Sequence, residues 1–270
     1  MLPFASMDEA LDVRWFDPHR LNLLIGLLLF VSFLLINRRR ARRVGGIYIR
    51  PLPGLQALDE AIGRATEMGR PVLYVPGSGD MSEVGTLAAI TISGRVGRRV
   101  AELGCDLRIP CYDPVVAALI DGAVQQSYRE ANRLDSFVPG SVYYVSATQF
   151  AYCASVTGTM MRERTAANIY MGSFYAEALF LAETGNLTGA VQIAGCDQVT
   201  QLPFFVCSCD YTLLGEELYA ASAYLGREPD EMATIAAQDW AKALAVAVVV
   251  LALLLELLGQ PGLGQLLQTS

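Results

Sequence analysis

The chain has 270 residues, 53% of them apolar, and a formal net charge of −7; its mean hydropathy is +0.36. That length holds one or two domains, and so apolar a composition is high for a soluble protein, an excess that two membrane spans would account for. Residues 44–241 hold 12 arginines against 22 carboxylates, a balance of about −10, which excludes nucleic acid as a partner because such a body repels phosphate backbones.

Two absences narrow the chemistry further. The only histidine is His19 and the only lysine is Lys242. Residues 44–241 therefore have no Ser–His–Asp or Cys–His nucleophile pair, no histidine metal site and no phosphate-binding P-loop lysine. General acid–base work would fall to Asp, Glu, Tyr or Cys. The six cysteines form no C-x-x-C pair, and they read as small apolar core residues rather than metal ligands. These residues leave the identity of any cofactor open.

In chain order, residues 1–20 are predicted as a short extracytoplasmic tail. Residues 21–37, LNLLIGLLLFVSFLLIN, carry no charge and rise roughly 25 Å as a helix, at the short end of what spans a bilayer. Arg38, Arg39, Arg40, Arg42 and Arg43 follow at once. Arginines flanking one end of a span stay on the cytoplasmic side. The expectation is therefore an inner-membrane protein in contact with the lipid bilayer, with residues 38–54 as collar and linker and residues 55–240 as a cytoplasmic domain. Residues 47–50 read as an extended edge piece. Residues 55–68 carry apolar side chains at helical spacing.

Short apolar strands and helices then alternate. Strands are predicted at 71–75, 106–110, 142–145, 168–171 and 190–194. Helices are predicted at 81–103, 114–133, 147–163 and 174–183, with one or two more over 203–225. That alternation predicts an α/β fold, a Rossmann-like, mostly parallel sheet with helices on both faces. Residues 241–259 form a second apolar run, read as a second span, and 260–270 as an outer tail. Gly26 in the first run and Ala243 and Ala247 in the second offer small residues for close helix packing. This packing predicts a homo-oligomer.

Two candidate sites stand out. Gly77-Ser78-Gly79-Asp80 follows the first strand and precedes a helix. Its backbone N–H groups could meet an anion at the helix start, with Asp113 after the second strand meeting a ribose hydroxyl. The third glycine of G-x-G-x-x-G is missing, since Ser82 stands there, and a tight turn with Asp80 as helix cap is the competing reading. The second candidate lies within a stretch of 62 residues, 165–226, without a lysine or arginine. It holds Tyr175, Glu177, Glu183, Thr184, Gln192, Asp197, Gln201, Asp210, Tyr211, Glu216 and Glu217. Carboxylates without basic partners are solvated, protonated or bound to a hard cation, and a solvated acidic face is the first reading.

The runs GRATEMGRPVLYVPG, NIYMGSFYAEALFLAETG, QIAG and TQLPFFVCSCDYTLLGEELYAASAYL resemble an uncharacterised family of bacterial and archaeal membrane proteins, a domain of unknown function. The resemblance implies a membrane-anchored architecture and transfers no catalytic residue. The function expected is a non-enzymatic scaffold or subunit of a homo-oligomeric membrane assembly. The alternative is a membrane-tethered regulator that binds a nucleotide or other small-molecule ligand.

Overall fold

The structure, a computed structural model, describes residues 21–44, 53–226 and 229–257. The two tails, residues 47–50 and His19 lie outside that set. The chain divides into two compact units, one spanning Tyr48–Glu228 and the other formed by the two ends of the chain.

The larger unit is a six-stranded sheet in the order β3-β2-β1-β4-β5-β6, with every adjacent pair parallel. Its strands are β1 (Val72–Gly77), β2 (Leu107–Cys111), β3 (Val142–Tyr144), β4 (Ala167–Ser173), β5 (Val191–Cys196) and β6 (Tyr211–Leu214). Both faces of the sheet are covered, so its central strands read as unbroken apolar runs rather than alternations. All six residues of β1 and all seven of β4 are buried.

Alternate side chains of β1 enter two separate cores, as the period of two requires. Val72 and Tyr74 pack with residues of α2 (Pro53–Met68), α3 (Val84–Leu103), α4 (Pro114–Glu130) and α8 (Glu216–Gly226). Leu73 and Val75 pack on the other face with α5 (Gln149–Glu163), α6 (Glu177–Thr188) and α7 (Leu202–Ser208). There Tyr170, Phe174 and Phe205 form a fully buried aromatic cluster, with ring centroids 5.1–6.3 Å apart. The α/β parallel-sheet expectation is met, and all five predicted strands form.

One strand was not foreseen. Residues 203–225 read as one or two helices, yet between α7, which stops at Ser208, and α8 the strand β6 forms. Asp210 explains the break: its Oδ2 accepts the Gln192 backbone N–H at 2.8 Å, which holds the chain extended beside β5. Gly215, at φ +51°, then turns it into α8.

In the smaller unit, α1 (Leu21–Val44) packs against α9 (Pro229–Leu257). Among the described residues no helix is long and apolar enough to cross a membrane. This overturns the expected two spans, the inner-membrane location and the orienting role given to Arg38, Arg39, Arg40, Arg42 and Arg43. The physical reason is length. The uncharged run of α1 ends at Asn37 and rises roughly 25 Å, short of a hydrocarbon core of about 30 Å. The arginines continue the same helix through Val44. Gly26, Ala243 and Ala247 are exposed, and a Cβ built on Gly26 would meet nothing within 4 Å.

Candidate ligand crevice

In a doubly wound sheet the strand order reverses beside β1, and ligands sit outside the carboxyl ends of the strands at that point. Here the reversal lies between β1 and β4. The pairing of these two strands is irregular at their ends, where their backbones approach closely. Pro76 lacks an N–H, and the β1–β4 register shifts between Val75 and Gly77. Gly77 takes φ +85°, with its Cα so near the Ser173 carbonyl that a Cβ would collide with it. Only glycine enters this turn without a penalty.

The turn delivers Ser78 onto Glu177, at the start of α6. Glu177 is 2% exposed. Its Oε1 accepts the Ser78 hydroxyl and the Tyr175 backbone N–H, the latter at 3.2 Å; its Oε2 accepts the side-chain amide of Gln149, at the start of α5. Three elements thus converge on one carboxylate. Beside it, Asp197 follows β5. Its Oδ2 accepts the Ser173 hydroxyl at 3.0 Å and the Tyr219 hydroxyl at 3.3 Å. The Tyr175 hydroxyl donates to Glu83 Oε1 across the mouth of the turn. That carboxylate pushes the Tyr175 phenol up to about 12. Burial, with Asp197 alongside, pushes Tyr219 up to about 12. Both phenols therefore remain protonated donors at neutral pH.

Three polar atoms of this region stay unmatched. Glu83 Oε2, Thr86 Oγ1 and Asp197 Oδ1 are buried with no hydrogen-bond partner. They surround two glycines. A Cβ on Gly79 would stand 2.5 Å from Thr86 Oγ1 and 2.6 Å from Glu83 Oε2; one on Gly85 would stand 2.6 Å from Asp197 Oδ2. Unpaired buried polar atoms are costly, and groups of them call for an explanation.

The predicted site residues divide. Gly77, Ser78 and Gly79 are buried in this crevice. Asp80 is exposed and caps no helix. Its Oδ1 accepts from the Ser82 N–H and hydroxyl, which hold its carboxyl below the usual range. The helix starts three residues later than predicted, with Glu83 at its N-cap. Asp113 does serve as a cap: its Oδ1 accepts from the N–H groups of Val115 and Val116 at 2.7 and 2.9 Å. From the acidic stretch, Glu177 and Asp197 join the crevice rather than a solvated face, and Asp210 ties down β6 instead. Glu83, Gly85, Thr86, Gln149 and Ser173 were missed. The one signal available was Gly85, a third glycine displaced three positions beyond the usual spacing. The six cysteines are free thiols. Among the described residues, no three His, Cys, Asp or Glu side chains converge as metal ligands.

A cavity of about 710 Å³ lies elsewhere, between α2, α3, α4 and α8, lined by Leu58, Asp59, Ile62, Arg95 and Tyr224. Its Arg95 is already paired with Asp59 at 3.0 Å. No strand end opens into it.

A family model described as a domain of unknown function (DUF6754) matches residues 11–266. That match carries neither the spans nor the bacterial and archaeal source that the resemblance implied. Ribosomal RNA small subunit methyltransferase J of Photorhabdus laumondii is 30% identical over 131 residues, 45% of this chain and 49% of that protein. The protein of the same name from Salmonella arizonae is 30% identical over 128 residues, 46% of this chain and 51% of its own length. The chain spans about half the length of the curated relatives it matches. No solved structure matches.

Proposed function

The chain belongs to the DUF6754 family of unknown function, and we propose that it is a small-ligand-binding protein whose ligand occupies the crevice between the β1–α3 and β4–α6 turns. The observation that carries this is the cluster of unpartnered oxygens of Glu83, Thr86 and Asp197 at the strand-order reversal. A ligand with donors there would satisfy atoms that the protein leaves unmatched. The likeness to a methyltransferase over less than half the chain supports the same reading, because any methyltransferase must hold a methyl donor. Transfer to RNA is not part of the proposal, since the acidic body opposes a phosphate backbone.

Native mass spectrometry of gently purified protein tests it. Wild type is expected to carry a discrete small molecule. Gly79→Val, shown by circular dichroism to fold, is expected to carry none. Equal occupancy in both, or none in either, contradicts the proposal.

A second reading has its own observation. Leu27, Leu28 and Leu29 of α1 and Leu244, Val246 and Leu253 of α9 are all more than half exposed. Apolar faces of that extent favour a subunit of a homo-oligomeric assembly, covered by further copies. In that reading Ala243 and Ala247 line a contact between copies. Leucine at both positions is expected to lower the oligomer mass in light scattering, and an unchanged mass removes that contact.

A further inference from the structure

Every turn at the carboxyl edge of the sheet lacks a cation. Residues 77–83, 112–113, 145–148, 173–176, 197–201 and 215 contain no lysine or arginine, yet they carry Asp80, Glu83, Asp113 and Asp197, with Glu177 immediately after. A dinucleotide site needs the opposite. Its pyrophosphate sits at a helix N-terminus against open backbone N–H groups. Here the helix after β1 begins on Glu83, whose side chain makes no cap hydrogen bond and whose Oε2 is held beside the Gly79 turn. A carboxylate stands where a phosphate would bind.

An acidic cluster alone would say little, but Thr86 supplies a separate observation. It is fully buried, and its hydroxyl, aimed at the Gly79 turn, has no partner. A hydroxyl shielded from water and left unpaired marks a position that something else completes. With Glu83 Oε2 and Asp197 Oδ1 it forms a cluster of unmatched oxygens, two of them on carboxylates that give the cluster negative charge. No three such groups converge as metal ligands among the described residues, which favours an organic cation.

Resting on the crevice reading above, we infer that the ligand is a nucleoside-sized molecule bearing a positively charged ammonium or sulfonium group, held by Glu83 and Asp197, and that phosphorylated nucleotides are rejected. The strand-order reversal is where doubly wound sheets hold nucleoside-containing ligands, and the carboxylates set the sign of the charge. Tyr175, bonded to Glu83 across the mouth, closes over the bound group.

Isothermal titration of the full chain with three probes tests this. S-adenosylmethionine carries both a sulfonium and an ammonium, S-adenosylhomocysteine lacks the sulfonium charge, and ATP is an anion of similar size. S-adenosylmethionine is expected to bind about tenfold or more tighter than S-adenosylhomocysteine, with ATP weakest. Asp197→Asn and Glu83→Gln keep the shape and remove a charge; each is expected to weaken S-adenosylmethionine about tenfold and to narrow its margin over S-adenosylhomocysteine. ATP binding more tightly than either, and lost in Gly79→Val, overturns the charge inference and leaves the crevice reading standing. Binding of none of the three, with no molecule co-purifying, overturns both. Equal binding of S-adenosylmethionine to wild type and both charge variants overturns the assignment of Glu83 and Asp197.

Discussion

A single methyl group at Gly79 would press on three neighbours at once: Thr86 Oγ1, Glu83 Oε2 and the Ser173 Cβ at 2.8 Å. Gly79→Ala is therefore expected to cost about 1–3 kcal/mol in chemical denaturation, short of unfolding the protein, and to lower ligand occupancy. Asp113 behaves differently. Because it caps α4, Asp113→Ala is expected to cost about 1 kcal/mol and to leave ligand affinity unchanged; a large affinity loss would return it to the crevice. Tyr219 gives a pH signature. Its folded-state value of about 12 exceeds the roughly 10 of an unfolded tyrosine, so the folded protein holds this proton more tightly. The stability it contributes is complete below about pH 10 and is lost as pH rises towards 12. Thermal unfolding followed through that window should fall less steeply in Tyr219→Phe than in wild type. Gly77, Ser78 and Gly79 were legible because a glycine pair between strand and helix is a local signal. Thr86 and Ser173 were not: a buried hydroxyl becomes informative only when the tertiary structure shows what pairs with it, Asp197 for Ser173 and nothing for Thr86.

The elements were legible where burial is two-sided. PVLYV and NIYM announce central strands because both faces are covered. Tyr211–Leu214 did not, since an edge strand of four residues with only Leu213 buried carries too little pattern to stand out among helix formers. Its place is set by side-chain hydrogen bonds from the neighbouring strand. Gln192, 1% exposed, donates from Nε2 to the Ser208 carbonyl at 2.8 Å and accepts the Tyr170 hydroxyl at 2.9 Å. Gln192→Ala removes both bonds: the half-buried Ser208 carbonyl loses its side-chain donor, while the Tyr170 hydroxyl keeps the Leu181 carbonyl at 3.1 Å. It is expected to destabilise the fold by about 1–3 kcal/mol, read as a lower denaturant midpoint with an unchanged slope. A change of slope instead would place the effect in the unfolded chain.

At the scale of the whole molecule, the chain's most conspicuous feature misled. The apolar run before the five arginines pointed to a bilayer, yet among the described residues no helix is long and apolar enough to cross one. The alternation of strand and helix, a weaker signal at any one place, was right over nearly the whole body because each segment constrains the next. The body also has its own two cores on the two faces of its sheet. Residues 48–228 expressed alone are therefore expected to unfold in one cooperative transition and to keep ligand affinity within about twofold, since the crevice draws no residue from α1 or α9. An uncooperative transition would mean that the body depends on the chain ends.

The central claim is that the crevice at the β1–β4 reversal holds the ligand. Hydrogen–deuterium exchange on the full chain, with and without saturating S-adenosylmethionine, tests it most directly. The account predicts slowed exchange in residues 77–87 and 173–177. Slowed exchange in residues 55–62, 94–98 and 127–130 instead, around the cavity between α2, α3 and α4, would contradict it.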